Sequence, residues 1–193
     1  VARPRTDDTR NRAIEAADAL LHERGYMGVS MDDIAKQIGI RKASLYHHFP
    51  DGKDQIVMAL GERLIEFDAR GLEAALQHAN VRDRLEAMAR FIFQDTRQTN
   101  AVLRDAVRFM ATEHQRRIAA LFFNRMFAPV QAAFEAGISS SELKPHDTRF
   151  ATFSFLSLLS EMNAPEHQAA FSNLPNRVTA LLLEGLQTER KPS

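Results

Sequence analysis

SMDDIAKQIGIRKASLYHHF, residues 30–49, sets two short helical patterns around a single glycine. Ser30 stands three residues before Asp33, an approximate capping box with Asp in the place of Glu or Gln. Ile34, Ala35 and Ile38 then form one inward face that Gly39 stops, and a second pattern resumes near Arg41 or Lys42 and buries Leu45 and Phe49. Neither pattern exceeds about two turns, and isolated helices below about 12–15 residues are marginal in water. The pair must therefore brace itself on its neighbours. With Leu45 and Phe49 committed inward, the second helix turns Lys42, Ala43, Ser44, Tyr46 and His47 outward.

Helical periodicity continues on both sides. In TRNRAIEAADALLHERGY, Ala13, Ile14, Ala17, Leu20 and Leu21 form a stripe, with Thr9 or Asp8 as a possible cap and Gly25 as a terminating glycine. Pro50 and Gly52 break the second short helix, and from Lys53 the set Ile56, Leu60, Leu64 and Phe67 predicts a helix of about 17 residues, roughly 25 Å long. Further helices are predicted over 81–99, 101–114, 115–136, 146–163 and 175–187, with Pro129 kinking the third. SSSELKP after Gly137 marks the longest loop, and Pro165 and Pro175 bracket a short helix or turn. Period-two alternation is nearly absent, so the fold class is all-α.

Composition narrows the function classes. The 193 residues contain no cysteine, which excludes disulfides and thiolate chemistry. No apolar run approaches the roughly 20 residues needed to span a bilayer, and the polar, basic start VARPRTDDTRNR has no signal-peptide core, so a cytoplasmic protein without membrane association is expected. Lys and Arg number 25 against 25 Asp and Glu. The basic charge is local: Arg3, Arg5, Arg10 and Arg12 in an N-terminal arm, and Arg41, Lys42 and Lys53 with His47 and His48 around the short helix.

Two helices joined by a tight glycine turn form the helix-turn-helix pattern. Gly25 and Tyr26 before the capped helix, SMDDIAKQIGI, and ASLYHHF followed by a lysine resemble the DNA-binding domain of the TetR family of bacterial transcriptional regulators over the first 55 or so residues. The rest resembles that family's regulatory domain in helical pattern and length only. The resemblance implies a three-helix DNA-binding domain with a basic arm at 1–53, fused to a larger helical ligand-binding and dimerisation domain at 54–193. It further implies that Ser44, Tyr46 and Lys53 reach phosphates, and that Lys42, Ala43 and His47 face base edges in the major groove, with Arg41 serving either surface. FPDGK carries one residue more between aromatic and lysine than the shortest form of the family.

Plainer readings stand beside these. Tyr46 is either a DNA contact or a half-buried packing aromatic. Arg3 and Arg5 belong to a solvated tail or to an arm that orders in the minor groove. His47 and His48 diverge by about 100° on a helix and do not chelate one ion, so neither metal nor cofactor is expected. The aromatic and methionine residues beyond position 53 are ordinary core or the lining of a cavity. Phe91, Phe109, Met110, Phe123, Met126, Phe127 and Phe153, with Arg108 beside them, are the candidates for a small hydrophobic or amphipathic effector such as a fatty acid, an acyl-CoA or an aromatic compound. FATFSFLSLLSEM and VTALLLEGL are apolar on nearly every side, which points to a homodimer through helices near 146–163 and 175–187, or to a central helix of one chain.

A ligand-responsive repressor that binds a palindromic double-stranded DNA operator as a homodimer is the function these readings imply. Its competitors are a helical interaction module that has lost sequence-specific DNA binding and a small all-α enzyme. Without GxSxG, HExxH, P-loop or dinucleotide patterns no catalytic residue is named.

Overall fold

A computed structural model describes residues 6–94 and 99–184. Their helices are α1 Thr6–Arg24, α2 Met31–Gln37, α3 Lys42–His48, α4 Lys53–Ala75, α5 Val81–Phe93, α6 Thr99–Val107, α7 Thr112–Phe122, α8 Ala128–Ser139, α9 Thr148–Met162, α10 Pro165–Ala170 and α11 Leu174–Glu184. The fold is all-α: an N-terminal helix-turn-helix followed by a helical C-terminal part. Arg3 and Arg5, the end of the helix expected over 175–187, and part of that expected over 81–99 lie outside the described residues.

Packing divides the chain into two compact units. Unit 1 takes the chain up to Leu64 together with Thr99–Ala120, and unit 2 takes the remainder. The position 53/54, where the sequence reading divides the chain, is the first turn of α4 and falls inside unit 1.

In unit 1, α1 buries Ala13, Ile14, Ala17, Leu20 and Leu21, the predicted stripe, although the helix begins at Thr6, ahead of both proposed caps. Ile34, Leu45, Phe49 and Ile56 are fully shielded from solvent. Gly61 lets α4 approach α6 and α7: a Cβ there would lie 2.5 Å from Ile118 Cδ1 and 3.2 Å from Leu103 Cδ2. The helix expected over 101–114 ends at Val107 and a new one starts at Thr112. Gln115 donates to the carbonyls of Met110 (3.0 Å) and Arg108 (3.4 Å) across that turn, which gives the freed backbone a partner.

Unit 2 packs α5, α8, α9 and α11 around Leu85, Met88, Phe134, Phe155, Leu159 and Leu183. Phe134 and Phe155 meet edge to face at 6.4 Å, a favoured aromatic geometry. Two buried hydroxyls on this core are satisfied along their own helices, Thr152 by the carbonyl of Thr148 and Thr179 by that of Pro175. The kink predicted at Pro129 takes the form of a π turn over Phe123–Phe127. Ala128 N–H reaches back five residues to the Phe123 carbonyl, and the widened turn accommodates a proline that has no N–H to give. Arg125 in this turn grips the Glu66 carboxylate with two bonds of 3.0 and 2.9 Å, fastening the turn to the later part of α4.

α4 is longer than predicted, 23 residues and about 34 Å. Phe67, which periodicity assigns to the core, is half-exposed and lies 5.7 Å from the Phe91 ring.

Candidate nucleic-acid interface

The turn into the helix pair is built by backbone chemistry. Ser30 holds an extended conformation and its side chain accepts from Asp33 N–H, while the Asp33 carboxylate accepts from Ser30 N–H at 2.9 Å. The two orphan donors at the head of α2 are thus satisfied reciprocally. The Ser30 hydroxyl and backbone hydrogen bonds, aided by Arg24 and Lys36, hold Asp33 below the ordinary carboxylate range. Folding therefore favours the ionised form: its contribution is full above the unfolded carboxylate pKa and is lost as pH falls through the lower folded value. Ser30→Ala should lower the melting temperature at neutral pH, and the deficit should shrink on acidification. Paired thermal melts from neutral to acid pH check this.

Gly39 ends α2 at φ +72°, with Ile40 N–H bonded to the Ala35 carbonyl (3.0 Å) and Gly39 N–H to the Lys36 carbonyl (3.2 Å). This is a Schellman turn, and it aims α3 across α2. A Cβ at Gly39 would touch nothing within 4 Å. Gly39→Ala should therefore cost only the left-handed penalty of an L-residue, about 1–2 kcal/mol, measured by denaturant unfolding. Arg12 braces the same corner by donating to the Ile38 carbonyl at 2.5 Å.

α3 is anchored by Leu45 and closed by Phe49, both fully buried, and the Arg10 guanidinium lies 5.0 Å from the Phe49 ring centre. Around this anchor Arg41, Lys42, Ala43, Ser44, Tyr46 and His47 are all exposed, on one short helix and the N-cap residue before it. Tyr46 keeps 41% of its surface in solvent, and its ring edge passes 3.7 Å from where a Gly52 Cβ would stand. His48 is half-buried, with its ring 5.9 Å from that of His47 in an edge-on arrangement. No cluster of metal-binding side chains occurs among the described residues.

Two lysines have partners that no periodicity announces. Lys42 Nζ lies 2.6 Å from Asp32 Oδ2 on α2, and this hydrogen bond raises its pKa and keeps it charged. The contact is exposed and worth little, so a competing acceptor can displace it. Lys53 Nζ donates to the carbonyls of Tyr26 (2.7 Å) and Val29 (2.8 Å) and sits 3.8 Å from the centre of the Tyr26 ring. On the next residue, the Asp54 carboxylate accepts from the Tyr26 hydroxyl and from Ala111 N–H, the latter at 3.0 Å. Desolvation and that carboxylate both push the Tyr26 phenol upward, so it stays protonated and donating.

The effector candidates are distributed over both units. In unit 1, Met110 is buried, Phe109 is exposed and stacked on Tyr26 at 6.0 Å, and Arg108 is exposed beside Asp105. In unit 2, Met126 is core, and Phe91 covers Gly71, where a Cβ would fall 2.2 Å from its ring. Phe123, Phe127 and Phe153 do come together. With Asp147, Arg149 and Phe150 they line an open hollow of about 340 Å³. Phe150, absent from the sequence reading of the site, carries the same aromatic signal as its neighbours but sits on a helix taken there as a dimer face. Phe150 and Phe153 are 69% and 64% exposed on α9, and Leu181 is similarly exposed on α11.

Comparison with known proteins agrees with this geometry. Residues 13–60, which run from α1 through the helix pair into α4, match the model of the bacterial regulatory proteins, tetR family. The chain is 37% identical over 60 residues to the HTH-type transcriptional regulator LmrA of Bacillus subtilis, a match covering 31% of this chain and 32% of LmrA. It is 48% identical over 44 residues, 23% of this chain and 24% of the relative, to the negative transcriptional regulator IcaR of the Staphylococcus aureus biofilm operon icaADBC. The chain thus spans about a third or less of the length of these relatives, which are named as regulators and not as enzymes. Over nearly the whole chain the fold is that of AibR, solved with isovaleryl coenzyme A and operator DNA: TM-score 0.77, 22% identity, 91% of this chain and 98% of that one. The helix-turn-helix segment over residues 13–60 is therefore similar to that of the TetR family of bacterial regulatory proteins.

Proposed function

We propose that the protein is a transcriptional repressor that binds a palindromic DNA operator as a homodimer and leaves it when a small hydrophobic or amphipathic effector binds. One observation carries the reading: six of the seven residues from Arg41 to His47, all polar, basic or small, face solvent, while Leu45 among them is wholly buried. Arg41, Ser44 and Tyr46 would hold phosphates, and Lys42, Ala43 and His47 would meet base edges, with Lys42 exchanging Asp32 for a guanine. Arg3 and Arg5 would extend the contact into the minor groove.

Two copies of α3 are needed because one short helix reads too few bases for useful specificity. The exposed Phe150, Phe153 and Leu181 support α9 and α11 as the paired face, in keeping with dimerisation as a role of residues 54–193. The hollow beside Phe123, Phe127 and Phe153, flanked by Arg149, favours an effector with an apolar body and an acidic group. AibR, with its acyl-CoA and operator, is a precedent for this combination within the same fold. Release requires the effector to prefer the conformation in which the reading heads no longer match the operator, since tight binding without preference shifts nothing.

Selection of bound sequences from a random duplex library at near-physiological salt tests the reading. A two-fold symmetric consensus is expected. Failure to enrich any sequence, even at lowered salt and after ligand-stripping refolding, would favour an interaction module without sequence-specific DNA binding.

A further inference from the structure

Resemblance to the family assigns Lys53 to a DNA phosphate, yet its ammonium is already fully engaged. An ammonium has three N–H donors and no more. Here one goes to the Tyr26 carbonyl at 2.7 Å, one to the Val29 carbonyl at 2.8 Å, and the third is left for the face of the Tyr26 ring, 3.8 Å away. All these partners belong to the segment between α1 and α2, and Val29 immediately precedes Ser30, the cap of α2. Lys53 is itself the first residue of α4. The longer FPDGK connection, turned by Gly52 at φ +74°, delivers the lysine to this segment.

We propose that Lys53 is a positioning residue that ties the start of α4 to the peptide entering α2, and so sets the angle of the reading head without itself contacting DNA. Asp54 completes the joint from the other side through the Tyr26 hydroxyl, so that adjacent residues of α4 hold one tyrosine by ring, carbonyl and phenol. Partial burial lowers the Lys53 pKa, the expected direction for an amine withdrawn from water, while the neighbouring Asp54 opposes the shift. Breaking the joint leaves two carbonyls without their charged donor and lets the cap of α2 drift relative to α4.

The inference rests on the DNA-binding reading, and the two fail differently. Operator affinity is measured as a function of salt for the wild type, Lys53→Met and Lys53→Arg, on a duplex selected by the wild type. Hydrogen exchange of residues 25–31 is followed in the same free proteins, with unit 2 as the reference for an intact fold. A strut predicts about tenfold weaker binding for both variants, an unchanged slope of log affinity on log salt, and faster exchange in 25–31. Arginine does not rescue, because a planar fork does not reproduce two carbonyl bonds and a ring contact from one nitrogen. A phosphate ligand predicts the reverse: a slope smaller by about one in Lys53→Met, restored in Lys53→Arg. That result, or unchanged exchange in both variants, overturns the proposal. Should the wild type select no duplex, the DNA reading fails, and the exchange data alone decide the strut: faster exchange upholds it and unchanged exchange overturns it.

Discussion

Replacing Phe49 with alanine should destabilise the protein by about 3–5 kcal/mol, the range for removing a fully buried aromatic side chain. Phe49 has no solvent exposure, it closes α3, and Arg10 lies over its ring. The loss has two parts: the transfer energy of the ring, and a cavity between α1 and α3 that α3, only seven residues long, cannot collapse to fill without losing its seat. Small domains are stable by only about 5–15 kcal/mol in total, so much of the reading head's margin would go. Urea unfolding followed by helical circular dichroism should show an earlier transition, and operator binding should fall with it. Phe49→Leu, which keeps most of the volume, should recover most of the stability. A cost below 1 kcal/mol for the alanine variant would mean that α3 is not seated as described.

Tyr46→Ala should behave in the opposite manner. The ring is 41% exposed and outside the buried face, so its removal should leave unfolding nearly unchanged. Operator affinity, however, should weaken by about 10- to 100-fold, the range for losing a hydrogen bond to a charged phosphate together with the contact area of the ring. Fluorescence anisotropy with a selected duplex, alongside a thermal melt of each protein, separates the two quantities. Tyr46→Phe divides the effect further, because it keeps the ring and deletes only the hydroxyl. If Tyr46→Ala melted early yet bound DNA normally once folded, the residue would be a packing aromatic.

What the sequence made legible is local. The Ser30–Asp33 cap, the left-handed Gly25 and Gly39, and the burial of Ile34, Leu45 and Phe49 each depend on residues within a few positions, where spacing alone decides geometry. The outward set on α3 follows by subtraction once Leu45 and Phe49 are assigned inward. Partners distant in the chain were not legible. The Lys53 ammonium finds carbonyls 27 and 24 residues away, and the Asp54 carboxylate finds an N–H 57 residues away. Periodicity says which face of a helix is apolar but not which neighbour covers it. The grouping of α6 and α7 with the helix-turn-helix therefore had no sequence signal, and Phe67, which the stripe places in the core, is half-exposed beside Phe91. Likewise Pro129 announced a disturbance of its helix, but not that the disturbance is a π turn over Phe123–Phe127 whose Arg125 bonds to Glu66.

The most direct test of the central claim, that α3 reads bases, is to repeat the duplex selection with His47→Ala and compare its consensus with that of the wild type. A side chain facing a base edge should relax the preference at one position in each half-site, at a cost of about 1–3 kcal/mol for the wild-type base there, and leave the other positions and the spacing intact. Paired changes at symmetry-related positions would place two copies of α3 in successive major grooves. An unaltered consensus for His47→Ala, and again for Lys42→Ala, would contradict the account, since the outward face of α3 would then lie against something other than the bases.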